Sequence, residues 1–223
     1  MLYFYSGTPG SGKSLHCAQM IDIWHRKGRN VITNFPVNTN FWVNKKLKKH
    51  GEVICLDNSD LSVDYLIQFA DEHHECKSDG TLKEKQTLLV IDECQTMFNS
   101  RSWNEKGRAL WIIFFTQHRK YGYEVILVSQ AKEFIDKQIR AVFEHNYIHR
   151  DVRNYKFAGR LLAMLCGGHL FICIDTWMTN GKKDNSTILF GMKKYYKLYD
   201  SFKIFDYKGL RPLSNSGALK HDV

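Results

Sequence analysis

The feature that most constrains the fold is a glycine-rich motif close to the start of the chain. Residues 7–14, GTPGSGKS, match the pattern G-x-x-x-x-G-K-[ST] and follow the apolar run LYFY at residues 2–5. Apolar residues then recur with helical spacing over residues 13–27. A strand that runs into such a loop and continues as a helix is typical of a phosphate-binding loop. The motif therefore predicts an α/β fold built around this loop.

The residue types in this loop suit the phosphates of ATP. Glycines permit backbone torsions that turn successive N–H groups inward, and the helix that follows adds the positive end of its dipole. Lys13 is predicted to reach the β- and γ-phosphates, and Ser14 is predicted to hold Mg²⁺ through its hydroxyl. The predicted cofactor-binding residues are Gly7, Thr8, Pro9, Gly10, Ser11, Gly12, Lys13, Ser14 and Leu15.

Two acids at the end of an apolar run form a second motif. The run LLVI at residues 88–91 is typical of a strand buried on both faces, and Asp92 and Glu93 follow it directly. Asp92 is predicted to hold Mg²⁺ or its water, as a Walker B acid does. Glu93 is predicted to act as the general base that orients and deprotonates the attacking water. The pair favours ATP hydrolysis, because phosphate transfer to another nucleotide needs no such base.

Elsewhere in the first two thirds of the chain, strand and helix patterns alternate. Apolar runs predict strands over residues 30–35, 52–56, 87–93 and 124–130. Helical spacing predicts helices over residues 108–121 and 132–144, and one more with Ser59 or Asp60 as its N-cap. The helix over residues 108–121 is apolar on nearly all sides, which predicts that it is buried between other elements. The alternation predicts a P-loop NTPase with a mostly parallel sheet and helices on both faces.

Length and composition are those of one globular protein. The chain has 223 residues, 43% of them apolar, which is enough for a substantial core. The six cysteines form no C-x-x-C pair, and we interpret them as reduced thiols. The net charge of +9 favours contact with phosphate or with an anionic surface.

After residue 146 the pattern changes to short apolar runs separated by Gly, Asn and Asp, including residues 186–202. These runs predict a β-rich continuation of the same core. We predict one ATPase domain over residues 1–210 and a tail or linker over residues 211–223. The ATPase domain is predicted to consist of a core over residues 1–150 and the continuation over residues 151–210.

Further catalytic candidates lie just beyond core elements. Gln130 ends a predicted strand, where its side chain can sense the γ-phosphate or the attacking water, or can simply end the strand. Arginine commonly completes the sites of ring ATPases from a neighbouring copy. Arg101, Arg119 and Arg140 are candidates for that role, and each also fits an ordinary surface charge.

Two segments combine lysine with aromatic residues. WVNKKLKKH at residues 42–50 and FGMKKYYKLYDSFK at residues 190–203 suit single-stranded DNA, because charge follows phosphates while rings stack on bases. The same segments equally suit a solvated face next to an anionic membrane surface. Both interpretations stay open.

Several short motifs give the sequence a family resemblance. They are D-E-C at residues 92–94, F-N-x-R-x-W at 98–103, R-K-x-G at 119–122 and D-K-Q-x-R at 136–140. Together they resemble the zonula occludens toxin (Zot)-like family, which includes the assembly ATPases of filamentous bacteriophages. The resemblance runs from Ser6 to about Asn154, with a weaker similarity at residues 196–202.

The resemblance implies a motor domain that hydrolyses ATP with Mg²⁺ to drive virion assembly and extrusion. The implied partners are phage coat proteins, single-stranded phage DNA, an outer-membrane export channel and further copies in a ring, which we expect to be a hexamer. The implied location is the cytoplasmic face of the bacterial inner membrane, with a transmembrane helix after this domain. The sequence contains no run of 18 apolar residues, which fits either an isolated cytoplasmic domain or a natural short form.

Two rival functions stay open. The loop GTPGSGK also resembles that of nucleotide or metabolite kinases, although no arginine-rich lid is evident. A nucleotide-binding scaffold or junction-active toxin without hydrolysis is the other rival, and the family associates its toxin activity with a C-terminal part that this sequence lacks.

Overall fold

The computed structural model describes residues 1–43, 49–100, 107–155, 159–161, 164, 169–179 and 181–199. Its strands are β1 (Leu2–Ser6), β2 (Asn30–Thr33), β3 (Val53–Cys55), β4 (Thr87–Ile91), β5 (Tyr123–Val128), β6 (His145–Asp151), β7 (Leu170–Trp177) and β8 (Lys183–Phe190). Its α-helices are α1 (Lys13–Arg26), α2 (Val63–His73), α3 (Arg108–Gln117), α4 (Lys137–Ala141) and α5 (Lys193–Leu198). The longest helix in these ranges has 14 residues, and none is long and apolar enough to cross a bilayer.

The described strands form one sheet in the order β3-β2-β4-β5-β1-β6-β7-β8. The strands from β3 to β6 are parallel, whereas β7 is antiparallel to β6 and β8 is antiparallel to β7. The predicted mostly parallel sheet is therefore confirmed, and the β-rich continuation forms its antiparallel edge. Strand β5 lies between β1 and β4, so one strand separates the strand before the glycine-rich loop from the strand before Asp92.

Helices cover both faces of the sheet, as predicted. On one face, Leu89 and Ile91 of β4 belong to the same buried cluster as residues of α2, α3 and α4. On the other face, Leu88 and Val90 belong to a cluster that includes residues of α1 and α5. Burial on both sides explains why β4 is a continuous apolar run rather than an alternating one.

Helix α2 begins later than its sequence pattern predicted. Ser62 is the N-cap, and its Oγ accepts a hydrogen bond from the backbone N–H of Tyr65 at 3.2 Å. The prediction of Ser59 or Asp60 was wrong because both lie in a turn, in which the Asp60 N–H donates to the Asp57 carbonyl at 3.0 Å.

The helix predicted over residues 132–144 is broken into two short pieces. A 3₁₀ turn over Lys132–Phe134 ends at Ile135, which pairs with Asn99 as an isolated β-bridge. Asp136 then caps α4 by accepting a hydrogen bond from the N–H of Gln138 at 2.7 Å. Pairing with a distant segment overrides the local helical pattern here.

Two other predictions also need correction. Helix α3 is not buried between elements, because Leu110 and Ile113 on its outer side are 49% and 52% exposed. Residues 193–198, predicted as strand, form helix α5, which buries Tyr195 and Leu198. Those two side chains are three residues apart, which is the spacing of one helical face.

Candidate functional site

The glycine-rich loop lies at the carboxyl edge of the parallel strands, between β1 and α1. Open α/β sheets bind their ligands at this edge. The segment just after β5 is hydrogen-bonded directly to the loop, because the Gly7 N–H donates to the Gln130 carbonyl at 3.1 Å. Thr8, Pro9 and Gly10 form the exposed rim of the loop, while Ser11, Lys13 and Leu15 are buried.

Glycine is required at two loop positions by both torsion and space. Gly7 has φ of +139°, and a Cβ there would lie 2.4 Å from the carbonyl oxygen of His149 on β6. Gly12 has φ of +96°, and a Cβ there would lie 2.7 Å from the ring of Phe171 on β7. The loop is therefore held against the start of the antiparallel edge of the sheet.

Replacing Gly12 by alanine is expected to destabilise the fold more than replacing Gly10. Both glycines have positive φ, so each alanine costs about 1–2 kcal/mol of unfolding free energy. Only Gly12→Ala also overlaps the Phe171 ring, for a further 1–3 kcal/mol or so, since a Cβ at Gly10 meets no described atom within 4 Å. Urea unfolding of both variants measures the difference, and equal losses would contradict the contact with Phe171.

Lys13 is folded back onto the loop. Its Nζ donates hydrogen bonds to the carbonyl oxygens of Gly7 at 2.7 Å and Thr8 at 3.2 Å, and the residue is 8% exposed. Burial lowers the pKa of Lys13, and the carboxylates of Asp92 and Glu93 oppose that effect. The ammonium and both acids therefore belong to one electrostatic cluster.

Asp92 is buried, and its backbone N–H and carbonyl are both hydrogen-bonded to Asn34, a residue that the sequence patterns did not single out. Burial, followed by repulsion from Glu93, raises the pKa of Asp92 to about 6. Asn34, just beyond β2, accepts a hydrogen bond from the Asp92 N–H at 2.7 Å and donates one to the Asp92 carbonyl at 2.9 Å. The sequence feature that could have identified Asn34 as a site residue is its position as a polar residue at the carboxyl end of a buried strand.

Replacing Asp92 by asparagine is expected to stabilise the nucleotide-free protein at pH 8 by about 3 kcal/mol. The native pKa of about 6 lies above the ordinary 3.8, so the unfolded chain ionises first and wild-type stability falls as pH rises between these values. The advantage of the asparagine should therefore shrink to a small fraction as pH falls to 4. Urea unfolding at several pH values measures the difference in unfolding free energy between Asp92→Asn and the wild type. The control is Asp60→Asn, which changes an exposed carboxylate. An advantage of Asp92→Asn that is unchanged at pH 4 would contradict its assignment to the buried charge of Asp92.

Glu93 has an unusual backbone for a residue with a side chain. Its φ of 46° and ψ of 42° lie in the left-handed region, which costs about 1–3 kcal/mol and is found preferentially at functional sites. The side-chain amide of Gln95 donates a hydrogen bond to Glu93 Oε2. The backbone N–H of Glu93 donates to Asp92 Oδ1 at 2.9 Å, which orients the Asp92 carboxylate against the Glu93 backbone.

The remaining catalytic candidates are more dispersed. The Gln130 side chain is exposed at the end of β5, beside the loop. Arg119 lies near the amino end of β1, at the edge of the sheet opposite the loop, where it pairs with Glu84 at 3.1 Å. Burial lowers the pKa of the terminal ammonium there, and the charge of Arg119 adds to that effect. Arg140 is half-buried on α4, and Arg101 lies outside the described residues.

An open cavity of about 320 Å³ borders the loop at residues 10–15. Its other lining residues are Arg153, His169, Phe171, Tyr195, Tyr196 and Tyr199. The sequence patterns did not connect these residues with the loop, because they lie in or next to β7 and α5 and in the turn after β6. The cavity thus joins a phosphate-binding type of loop to a largely aromatic wall.

Tyr199 connects the end of α5 to the metal-ligand candidate Ser14. Burial raises the pKa of Tyr199, and a side-chain hydrogen bond with Ser14 opposes that effect. The Tyr199 ring stacks on Phe35 with centroids 4.4 Å apart, and its backbone pairs with Val37. The hydroxyl of Ser14 is therefore shared with a residue far along the chain.

The glycine-rich loop and the strand inserted between β1 and β4 give this chain the fold of P-loop NTPases that carry an additional strand. Residues 1–157 match the family model described as zonular occludens toxin (Zot), and the chain belongs to that family. The resemblance expected from its short motifs is thereby confirmed.

Solved structures show the same fold at low sequence identity. The N-terminal domain of zonular occludens toxin from Neisseria meningitidis superposes with a TM-score of 0.52 at 20% identity, covering 89% of this chain and 98% of that one. Another solved structure, of an ATPase domain, superposes with a TM-score of 0.53 at 10% identity, covering 89% of this chain and 84% of that one.

Phage proteins are similar in sequence. The Gene 1 protein of Enterobacteria phage I2-2 is 33% identical over 177 residues, which make up 76% of this chain and 46% of that protein. The Gene 1 protein of Enterobacteria phage f1 is 29% identical over 174 residues, with 76% and 48% covered. The chain thus spans about half the length of the curated relatives it matches.

Proposed function

We propose that this chain is the ATP-hydrolysing motor domain of a filamentous phage assembly protein, and that hydrolysis drives virion assembly and extrusion. The observation that carries the proposal is the electrostatic cluster of Lys13, Asp92 and Glu93 beside the glycine-rich loop. Membership of the Zot family and similarity to phage Gene 1 proteins supply the biological setting.

In this proposal the loop N–H groups and Lys13 bind the phosphates of ATP. Lys13 exchanges its bonds to the Gly7 and Thr8 carbonyls for bonds to β- and γ-phosphate oxygens. Ser14 and Asp92 offer a hydroxyl and a carboxylate, the hard oxygen donors that suit Mg²⁺. A Mg²⁺ ion held by these two groups would supply positive charge that offsets the negative charge developing on the phosphates during transfer.

Glu93 then acts as the general base. Its carboxylate accepts a proton from the attacking water, and its strained backbone fixes the direction of the side chain. Gln130, bonded through its carbonyl to Gly7, senses the γ-phosphate or the water. The rival kinase function has no need of a base in the position of Glu93.

The aromatic wall of the cavity is proposed to hold the adenine ring. Replacing Tyr196, which is 43% exposed and lines the cavity, by alanine should weaken ATP binding by about 1–3 kcal/mol, the usual value of a base–aromatic stack. Binding of inorganic triphosphate should not change, because it has no base. Calorimetry with both ligands tests this, with Phe190→Ala, 50% exposed on β8, as control; equal weakening for both ligands would contradict it.

The motor is proposed to act as a ring, a hexamer by family resemblance, with an arginine completing each neighbouring site. Arg119 lies at the amino-terminal edge of the strands, whereas the glycine-rich loop of the same chain lies at their carboxyl edge. It could therefore complete only the ATP site of a neighbouring copy. Arg140 and Arg101 stay candidates as well. The exposed apolar side chains Leu110 and Ile113 of α3 suit contact between copies.

The proposed partners are phage coat proteins, the outer-membrane export channel and single-stranded phage DNA, at the cytoplasmic face of the inner membrane. The exposed residues of helix α5 favour contact with an anionic partner. They are Lys193, Lys194, Lys197 and Tyr196. Residues 44–48, the lysine-rich part of the other basic segment, lie outside the described residues.

The deciding experiment measures phosphate release from MgATP by the purified chain over a range of protein concentrations, with and without single-stranded DNA. We expect turnover per chain to rise with concentration as rings assemble. Release of ADP that requires an added nucleotide or metabolite acceptor would favour the kinase instead. Binding of ATP without turnover under any condition would favour the non-hydrolysing scaffold.

A further inference from the structure

Three side chains with metal-binding atoms meet underneath the glycine-rich loop. They are His16 on α1, His149 on β6 and Cys173 on β7, and each offers one ligand atom within 4.8 Å of the other two. The Nδ1 of His16 lies 2.9 Å from the Nε2 of His149. Three separate elements therefore converge on one point between α1 and the sheet.

The pairing register of β6 and β7 places two of the three side chains of this cluster next to each other. His149 and Cys173 are directly opposite each other in the antiparallel β6–β7 ladder, so their side chains share one face of the sheet. Cys173 belongs to the buried cluster on the α1 side, and α1 brings His16 over that face. His16 is held there by stacking on Tyr5, with ring centroids 4.6 Å apart.

The hydrogen bonds of His149 fix its tautomer. Its Nδ1 lies 3.2 Å from the Ser6 carbonyl oxygen and 3.0 Å from the Tyr147 carbonyl oxygen. Both partners are acceptors, so Nδ1 carries the proton, and the lone pair of Nε2 accepts a hydrogen bond from His16 Nδ1 that a cation would replace. A histidine whose second nitrogen donates to a backbone carbonyl is the usual arrangement of a metal ligand.

The protonation states suit a neutral imidazole pair and a thiol. Burial lowers the pKa of His16 to about 4 and that of His149 to about 3, so both rings are neutral at neutral pH. Burial raises the pKa of Cys173 to about 12, so its sulfur carries a proton until a cation replaces it. Formation of a sulfur–metal bond then releases that proton to solvent, and His16 binds through Nδ1 as the tautomer that carries its proton on Nε2.

We propose that His16, His149 and Cys173 form a three-ligand site for a soft d¹⁰ cation, the class that includes Zn²⁺ and Cu⁺. Two imidazoles and one thiolate select such cations over Mg²⁺, which requires oxygen ligands. The site is separate from Ser14 and Asp92 and does not depend on the proposed ATPase activity. A bound cation would join the first helix to the first antiparallel pair of strands directly beneath the nucleotide loop.

The test is a titration of the metal-free protein with Zn²⁺, and separately with Cu⁺ without oxygen, against a chromophoric chelator. The exposed thiols of Cys55 and Cys76, and also Cys166, are first replaced by serine to remove other sulfur ligands. We expect each protein molecule to bind one cation tightly. The titration that gives the higher affinity, with Zn²⁺ or with Cu⁺, identifies the preferred cation.

Loss of a ligand should weaken binding by more than the roughly 10–100-fold that loss of an outer-shell partner costs. Cys173→Ser and His16→Phe are the test variants, and the phenylalanine can keep the stacking on Tyr5. The matched control is Cys94→Ser, another buried free cysteine on the opposite face of the sheet. Its affinity should equal that of the parent.

Two results would overturn the proposal. One is the absence of a bound equivalent in both arms, and the other is parental affinity in a folded Cys173→Ser variant. Circular dichroism and binding of inorganic triphosphate establish folding independently of the cation. If Cys173→Ser does not fold, His16→Phe decides, and unchanged affinity there means that the cluster is only a hydrogen-bonded part of the core.

Discussion

Replacing Glu93 by glutamine is expected to slow ATP hydrolysis by about 10²–10⁴-fold, the usual contribution of a general base. Glutamine keeps the size of the side chain and can still bond to Gln95, but it cannot accept a proton from water. ATP binding should persist, because Glu93 is not among the residues proposed to hold phosphate. Phosphate release under single-turnover conditions, together with an ATP affinity measured separately, gives both quantities.

The control for this substitution is Glu133→Gln, which removes an exposed carboxylate from the short turn before α4. Its turnover should equal that of the wild type. Wild-type turnover in Glu93→Gln would remove the general-base assignment. If phage release in cells also continued with Glu93→Gln, the non-hydrolysing scaffold would become the better account of the protein.

Replacing Lys13 by alanine is expected to reduce turnover by about 10²–10³-fold, the usual effect of removing one donor to a developing negative charge. ATP affinity should fall as well, since the ammonium is assigned to both bound and transferring phosphates. Stability should not fall, because burial of this charge is unfavourable in the nucleotide-free protein, as its lowered pKa indicates. Enzyme assays and thermal unfolding of the same preparation separate the two effects.

Lys137→Ala is the matched control, because that lysine is exposed at the first position of α4. Retention of wild-type turnover by Lys13→Ala would place catalysis outside the glycine-rich loop. A large loss of stability would instead mean that the bonds from Lys13 to the Gly7 and Thr8 carbonyls hold the loop together.

The sequence predicted the parts of the fold whose causes are local. The torsions of the glycine-rich loop require glycines at fixed spacing, and the doubly buried β4 requires a continuous apolar run before Asp92. Alternating strands and helices then restrict the sheet to a mostly parallel arrangement. These features do not depend on contacts between residues far apart in the sequence. The family resemblance and the fold class could therefore both be predicted from the sequence alone.

Features that depend on distant partners could not be predicted in the same way. Asn34 and Asp92 are 58 residues apart, and only the β2–β4 pairing places one beside the other. Tyr196 reaches the cavity because α5 is a helix, whereas its segment has the composition of a strand. The location of Arg119 likewise follows from the course of the chain after α3 and not from its neighbours in sequence.

The hydrogen bond between Tyr199 and Ser14 has a mechanical consequence. Tyr199 directly follows α5, and stacking on Phe35 holds its ring beside the proposed magnesium ligand. Tension on the polypeptide beyond this point would act through one tyrosine on the hydroxyl of Ser14. In the proposed function, ATP hydrolysis is therefore expected to depend on mechanical load on the segment that follows α5.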